Sequence, residues 1–140
     1  MEIKYSAILA FMGQITDRFA SYHRPRDLAE KIELTAQIEG VTGAEPVYPF
    51  DFQGVETGTL KKLLADHDLA FSSVNVNIKA EPKFHLGAMT SNDPGIRAEA
   101  VEYLKTGMDL AAELGANLIT CCPLADGHDY PFEIEYGQAW

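Results

Sequence analysis

The loops of this chain are of two unequal kinds, and this inequality limits most strongly what the chain can fold into. The pattern of apolar residues predicts four units, each a strand followed by a helix. The helix-to-strand connections are short and lie at Gly40, Asp68 and Gly115. The strand-to-helix connections are long and polar, and they cover residues 12–24, 46–57, 79–93 and 123–133. Strands that alternate with helices predict a parallel sheet.

Loop length also predicts which parallel architecture this is. In a (β/α)8 TIM barrel, the loops after the strands carry the chemistry, and the opposite loops serve stability. A closed barrel usually needs about 250 residues, whereas this chain has 140, of which 46% are hydrophobic. We therefore expect an α/β fold, a partial (β/α)8 TIM barrel of about four parallel βα units. Residues 1–140 would be a single domain, the N-terminal half of a barrel that is apparently truncated.

A doubly wound open sheet is the competing architecture. Its dinucleotide-binding form carries G-x-G-x-x-G directly after the first strand. At that position the chain reads AFMGQ (10–14), with a single glycine, and it contains no phosphate loop of the G-x-x-x-x-G-K type. The partial barrel is therefore favoured.

The predicted elements follow from periodicity and end signals. The strands are expected at 5–11, 41–47, 70–78 and 117–121. Pro25 should open the first helix, Thr57 should cap the second, and Asp93 with Pro94 should open the third. A further helix is expected to begin within 136–140. The buried face of the third helix should comprise Ile96, Ala100, Leu104, Met108 and Ala111, broadened by Val101 and Leu114.

Charge and cysteine usage narrow the class of protein. The net charge is −10, from 11 basic and 21 acidic residues, which opposes binding to nucleic acid or to anionic membranes. No apolar run of ~18 residues or secretion signal is visible. The only cysteines, Cys121 and Cys122, are adjacent and do not form a disulfide framework, so we expect buried structural thiols in a cytoplasmic protein.

Polar residues on the third strand are the first candidates for a site. From Ser73 onward the strand alternates polar and apolar, which places Ser73, Asn75 and Asn77 on one face. The apolar Val74 and Val76 suit the side covered by helices. Asn75 and Asn77 could offer their amides to sugar hydroxyls, or they could belong to an internal polar layer that satisfies its neighbours.

The loop after the fourth strand is the densest polar segment. His128 could act as an acid or base near neutral pH or hydrogen-bond a polar substrate, with Asp129 as a second contact. His128 is the only catalytic candidate. A surface turn formed by Asp126 and Gly127 is an equal alternative. Metal ligation is disfavoured because no second cluster completes a coordination sphere.

The end of the second strand offers two further candidates. Glu45 could bind a hydroxyl or orient a catalytic group, and a salt bridge is an equally ordinary role for it. Tyr48, with Phe50 and Phe52, could wall a pocket by stacking on a sugar or could pack beneath the loop. His85 in the third loop is expected to be exposed.

Three segments in order resemble one family. They are Gly43-Ala44-Glu45, the segment LLADHDL (63–69) and the segment DLAAELGA (109–116). Their order and spacing resemble the first half of the xylose isomerase-like TIM barrels. That family includes sugar isomerases, sugar and sugar-phosphate epimerases and divalent-metal endonucleases.

The resemblance implies a function for a longer parent protein: a divalent-metal-dependent sugar or sugar-phosphate isomerase or epimerase that transfers a proton beside a carbonyl. The metal (Mn, Mg, Co or Zn) would be held by Glu, Asp, His and Glu residues on strands five to eight, so no metal or activity is expected from these 140 residues alone. A sugar would be the ligand, contacted from this half by Glu45, Asn77 and His128. A non-catalytic half-barrel that self-associates as a homo-oligomer and the endonuclease branch stay as alternatives.

Overall fold

The strands and helices follow the predicted alternation. The computed structural model describes residues 3–13, 20–123, 126, 132 and 135–139. The strands are β1 (Tyr5–Ile8), β2 (Val41–Glu45), β3 (Val47–Tyr48), β4 (Ala70–Phe71), β5 (Val74–Val76) and β6 (Ile119–Thr120). The helices are α1 (Leu28–Ala36), α2 (Thr57–Asp66), α3 (Pro94–Leu114) and α4 (Tyr136–Ala139). Short 3-10 turns occupy Leu9–Met12, Phe50–Phe52 and Pro82–Phe84.

The order of the strands in space identifies the architecture. The pairings β1–β2–β4 and β3–β5–β6 are parallel throughout. Because β2 and β3 are two parts of one strand, and β4 and β5 are two parts of the next, four parallel strands lie side by side in the order of the sequence. A doubly wound sheet reverses its order at a switch point. The described strands show no such reversal, and they form an open arc of the kind found in a barrel.

Both middle strands are interrupted for local reasons. Pro46 separates β2 from β3, and it lacks the N–H that a ladder requires. Pairing nevertheless continues past it, because Asn75 N donates to Pro46 O at 2.9 Å and Asn77 N donates to Tyr48 O at 2.9 Å. The break in the third strand falls at Ser72 and Ser73, next to polar side chains described below. The strands predicted at 41–47 and 70–78 are thus confirmed, but each is interrupted once and forms two shorter strands.

The sheet has an apolar face and a polar face. The apolar face packs against the helices, and one buried cluster joins Ala44 and Val74 of the sheet to Ile32, Leu64 and Leu114 of the three helices. The opposite face, which we call the inner face, carries polar side chains from the second, third and fourth strands. The alternation predicted for the third strand is confirmed, since Val74 and Val76 are buried on the helix side.

Helix α3 begins and ends as its sequence predicts. The Asp93 side chain accepts a hydrogen bond from Gly95 N, Pro94 occupies the first turn, and Gly115 ends the helix with a φ of 81°. Its buried residues are Ala100, Gly107, Ala111 and Leu114.

The predicted buried face of α3 is wrong at two positions. Met108 is 54% exposed and Val101 is 42% exposed. Gly107 instead occupies the position on α3 that faces the sheet, where any side chain would meet Val76. The helix is therefore rotated toward its smallest residues.

Three further boundaries differ from the prediction. The first strand ends at Ile8, and residues 9–12 turn into a 3-10 helix that exposes Phe11. Helix α1 begins at Leu28 rather than at Pro25, because Asp27 and Glu30 form a reciprocal capping box. Glu56 occupies the cap position of α2, so Thr57 is its first helical residue.

No helix in the described ranges is long and apolar enough to cross a membrane.

The close approach of α3 to β5 yields a stability prediction. A Cβ added at Gly107 would lie 2.3 Å from Val76 Cγ2. We expect Gly107→Ala to lower the free energy of unfolding by about 1–2 kcal/mol, because overpacking outweighs the gain in helix propensity. Urea denaturation monitored by circular dichroism measures the change.

Gly58 in α2 provides the matched control. A Cβ there meets nothing within 4 Å. We expect Gly58→Ala to raise the free energy of unfolding by about 0.4–1 kcal/mol, since it restricts the unfolded chain without a clash. Equal stabilisation by the two substitutions would contradict the described contact between α3 and β5.

Candidate functional site

Side chains from three adjacent strands meet on the inner face, from the middle of the second and third strands to the end of the fourth. The group consists of Glu45, Ser73, Asn75 and Thr120, and we call it the Glu45 cluster. Asn75 Nδ2 donates to Glu45 Oε1 and to Thr120 Oγ1, each at 2.8 Å. The hydroxyl of Ser73 donates to Glu45 Oε2, and the hydroxyl of Thr120 donates to Glu45 Oε1.

These donors replace water as hydrogen-bond partners of the buried Glu45 carboxylate. Glu45 is only 9% exposed, and a buried carboxylate requires hydrogen-bond donors. No salt bridge involves Glu45 within the described part of the chain. Two hydroxyls and one amide therefore satisfy its charge. The salt-bridge alternative for Glu45 is wrong for these residues.

Register places these side chains together. Asn75 pairs with Thr120 across β5 and β6, and with Val47 across β3 and β5. Closer to the start of the strands, the hydroxyl oxygens of Ser6 and Ser72 lie 2.6 Å apart, and Ser72 donates to Ala44 O at 3.2 Å. The inner face thus carries successive polar contacts from the first strand to the fourth.

Asn77 lies on the same face one pleat beyond Asn75 but serves a different contact. Its Oδ1 accepts hydrogen bonds from Lys79 N at 3.0 Å and from Ala80 N at 2.9 Å. This geometry is that of an Asx turn, and it closes the third strand. The structure confirms that Asn75 and Asn77 share a face, whereas a substrate contact for either stays a prediction.

Tyr48 is not brought to the Glu45 cluster. Its ring packs against Tyr103 of α3 at 5.2 Å between centroids and against Phe52 at 6.2 Å. The side chain therefore lies on the helix side of the sheet, where it joins both buried clusters. This position fits the packing alternative, and a pocket-wall role for Tyr48 has no support from its contacts.

His128 and Asp129 lie outside the described residues, so their predicted substrate contacts stay predictions. Their neighbour Asp126 is described, is buried, and accepts hydrogen bonds from Ala88 N at 3.2 Å and from Thr90 N at 2.8 Å. The Thr90 hydroxyl also donates to it. Asp126 therefore ties the loop after the fourth strand to the loop after the third.

Sequence reasoning missed a second tie, between Lys31 and Asp51. Lys31 Nζ lies 2.6 Å from Asp51 Oδ1, and the two side chains are 15% and 1% exposed. Asp51 Oδ2 also accepts from Val47 N at 2.8 Å. The pair joins α1 to the loop after the second strand. Only the position of one acidic residue between two phenylalanines could have pointed to it.

A polar group around Lys83 was also missed. Lys83 Nζ contacts Glu99 Oε1 at 2.5 Å and Tyr103 Oη at 2.6 Å, and Tyr103 donates to Glu81 at 2.8 Å. Burial lowers the pKa of Lys83, but the hydrogen bonds to Glu99 and Tyr103 outweigh it and raise this pKa above its usual value. Lys83 is therefore a protonated anchor between loop and helix rather than a base.

The two cysteines differ in environment. Cys121 is half-buried, and burial raises the pKa of its thiol, with smaller contributions from Cys122 and Asp126. A raised pKa lowers the thiolate fraction and hence the reactivity. Cys122 is exposed, so the expectation that both thiols are buried is wrong for Cys122. His85 is exposed, as predicted.

The described residues do not offer a metal site. They contain no group of three or more His, Cys, Asp or Glu side chains that could hold an ion. In particular, the oxygens of Glu45 already accept from neutral donors, and no second carboxylate from the described residues joins its cluster.

Comparison with known proteins agrees with this architecture. Residues 32–140 match the xylose isomerase-like TIM barrel family. The chain belongs to this family. A probable sugar isomerase of Mesorhizobium japonicum is 26% identical over 132 residues, which cover 88% of this chain and 30% of the relative. Xylose isomerase of Thermus thermophilus is 40% identical over 80 residues, which cover 57% of this chain and 21% of the relative.

These matches confirm the predicted fold class and the predicted family. A probable sugar isomerase of Rhizobium meliloti is similar over the same span, at 24% identity over 88% of this chain and 30% of the relative. The chain thus spans less than a third of the length of these relatives. The open arc of described strands is what a part of such a barrel would form.

The buried Lys31–Asp51 pair yields a second stability prediction. Asp51→Ala leaves a largely buried ammonium and the N–H of Val47 without their acceptor. We expect the free energy of unfolding to fall by about 3–5 kcal/mol, the usual cost of removing one partner from a buried pair. Urea denaturation measures this loss.

An exposed pair in α2 provides the comparison. Lys62 and Asp66 lie 2.5 Å apart, but their side chains are 75% and 52% exposed. We expect Asp66→Ala to change the free energy of unfolding by less than about 1 kcal/mol. Losses of equal size for the two substitutions would show that the Asp51 contact has no special weight.

Proposed function

We propose that the protein to which these residues belong is a sugar isomerase or epimerase, and that this chain supplies one wall of its substrate pocket. The observation that carries the proposal is the Glu45 cluster. It places hydrogen-bonding side chains on the inner face of a parallel sheet, next to Asn77 at the carboxyl end of the third strand, the end at which TIM barrels bind substrates. Membership of the xylose isomerase-like family supports a sugar as the ligand at this position.

The side chains of the inner face suit a polyhydroxylated ligand. A hydroxyl both donates and accepts hydrogen bonds, and an asparagine amide offers one group of each kind. Asn75 and Asn77 stand at successive inward positions of one strand, so a sugar could reach both. In this proposal His128 and Asp129 contact the same ligand from the fourth loop, and Glu45 supports the pocket beneath Asn75.

The proposed reaction is proton transfer at the carbon beside the sugar carbonyl. A divalent ion (Mn, Mg, Co or Zn) would supply Lewis-acid polarisation of the substrate oxygens. The described residues do not fit such an ion, because they lack a set of three ligating side chains. We therefore assign no step of the reaction through a metal to these residues. Their part is to bind and orient the sugar.

The proposal predicts isomerase activity for the whole protein. We expect it to interconvert an aldose and its ketose, with D-xylose as the first substrate to try because a relative carries that name. Product is measured by chromatography over a panel of pentoses and hexoses. Chelation with EDTA should abolish turnover, and added Mn²⁺ should restore it.

Running the reaction in deuterium oxide tests the proton-transfer step separately from the isomerase activity. If a base removes and returns a proton that exchanges with solvent, deuterium should appear at the carbon beside the carbonyl. Turnover without deuterium uptake would contradict proton transfer with solvent exchange but retain the isomerase. Full activity after metal removal would contradict the metal. No turnover of any sugar in the panel, with metal present, would overturn the proposed function.

Self-association is a second proposal, and a specific observation favours it. Large apolar side chains are exposed on β1, on α3 and just before β6: Tyr5 (61%), Val101 (42%), Met108 (54%) and Leu118 (56%). Burying such surface against a second copy is favourable.

Light scattering over a concentration series tests self-association directly. We expect the measured mass to exceed the 15.4 kDa of one chain as concentration rises. A mass of one chain at every concentration would contradict the proposed homo-oligomer.

A further inference from the structure

We propose that Asn75 and Asn77 form a two-point hydroxyl site of fixed polarity, in which Asn75 presents an acceptor and Asn77 presents a donor. The ligand class is a polyol or sugar that places one hydroxyl against each amide. This inference rests on the proposed function for its ligand class, and it adds which atom of each amide the ligand meets.

The contacts of Asn75 fix the orientation of its amide. A carboxylate oxygen only accepts hydrogen bonds, so the amide atom 2.8 Å from Glu45 Oε1 must be the nitrogen. The same nitrogen lies 2.8 Å from Thr120 Oγ1, whose own hydrogen is directed to Glu45. Both donors of Asn75 are thereby used within the cluster. Its Oδ1 is the atom left for a ligand.

The contacts of Asn77 fix the opposite orientation. Two backbone N–H groups, of Lys79 at 3.0 Å and of Ala80 at 2.9 Å, point at one atom of its amide. Backbone N–H groups only donate, so that atom must be the oxygen. Its Nδ2 is the atom left for a ligand.

Both of these atoms are accessible. Asn75 and Asn77 are only partly buried, and no described residue donates to Asn75 Oδ1 or accepts from Asn77 Nδ2. Among the described residues, no buried side-chain polar atom lacks a partner, so these two atoms are not sealed from solvent. Residues two apart on a strand are separated by about 7 Å. An open-chain pentose is long enough to contact both.

In this arrangement, the buried Glu45 serves to orient the amide of Asn75. Its carboxylate cannot easily reach a ligand, because it is buried and its oxygens accept from three side chains. It does hold the nitrogen side of Asn75 inward. Glu45 is therefore a positioning residue that acts through Asn75, and the polarity of the site depends on it.

Replacement by aspartate should have different effects at the two asparagines: it should lower ligand affinity at Asn77 and lower stability at Asn75. Asn77→Asp keeps the oxygen that accepts from Lys79 and Ala80, and it replaces the outward donor by an acceptor. We expect thermal stability close to that of the unaltered chain. We expect an affinity for xylitol lowered about tenfold or more, because the facing hydroxyl must reverse its hydrogen bond and the new negative charge must lose water when the ligand binds. Xylitol serves as the probe because it has hydroxyls but no carbonyl to react.

Asn75→Asp should instead damage the fold. It keeps an outward acceptor but sets a second carboxylate against Glu45, so we expect a clear fall in melting temperature. Combining it with Glu45→Gln restores a donor between the two positions, because the amide introduced by that second substitution can donate to the new carboxylate. We expect the double variant to regain most of the lost stability and to bind xylitol within a few-fold of the unaltered chain. Titration calorimetry and thermal denaturation read out the two effects.

Each result bears on the proposal. Unaltered xylitol affinity in Asn77→Asp would overturn the donor at Asn77. A double variant no more stable than Asn75→Asp alone would overturn the positioning role of Glu45, and this arm needs no ligand. Absence of xylitol binding to the whole, unaltered protein would overturn the two-point site. Binding with the expected pattern but without turnover of any sugar would support the two-point site and count against the proposed isomerase alone.

Discussion

The buried carboxylate of Glu45 is the constraint on which the inner face depends. A carboxylate removed from water requires donors, and here they come from the third and fourth strands. Those donors meet Glu45 only if the strands pair in the observed parallel register, with Asn75 opposite Thr120. A shift by one residue would turn Asn75 toward the helices and leave Glu45 without its amide. The polar cluster therefore favours this register in addition to the apolar core.

The two faces of the sheet are held by different kinds of contact. The helix side uses close apolar contact, most tightly where Gly107 admits Val76, and it contains Tyr48 and its aromatic partners. The inner side uses hydrogen bonds between short polar side chains. Because hydrogen bonds are directional, the inner side can hold an amide in one orientation, which apolar packing alone cannot do. This division explains why a partial barrel carries an ordered polar surface.

The sequence predicted the features that depend on local pattern. Alternation from Ser73 to Asn77 correctly indicated a two-faced strand, and the Asp93-Pro94 start and Gly115 end of α3 were correct. The rotation of α3 could not be predicted from its periodicity, because a close approach by Val76 from another element decides it. The ties made by Lys31 and Asp126 link residues 20 and 36–38 positions apart, and apart from the acidic Asp51 between two phenylalanines no local signal marks such pairs.

Those long-range ties bear on how the site is held. Lys31 and Asp51 join α1 to the second strand-to-helix loop, and Asp126 joins the fourth such loop to the third. Charged or carboxylate groups make each of these ties while buried, where a broken contact is costly. The loops around the inner face are therefore connected to their neighbours before any ligand arrives. In the proposed sugar site, connected loops and amides of fixed orientation would lose little conformational freedom on binding, and this would favour discrimination among sugars by the direction of their hydroxyls.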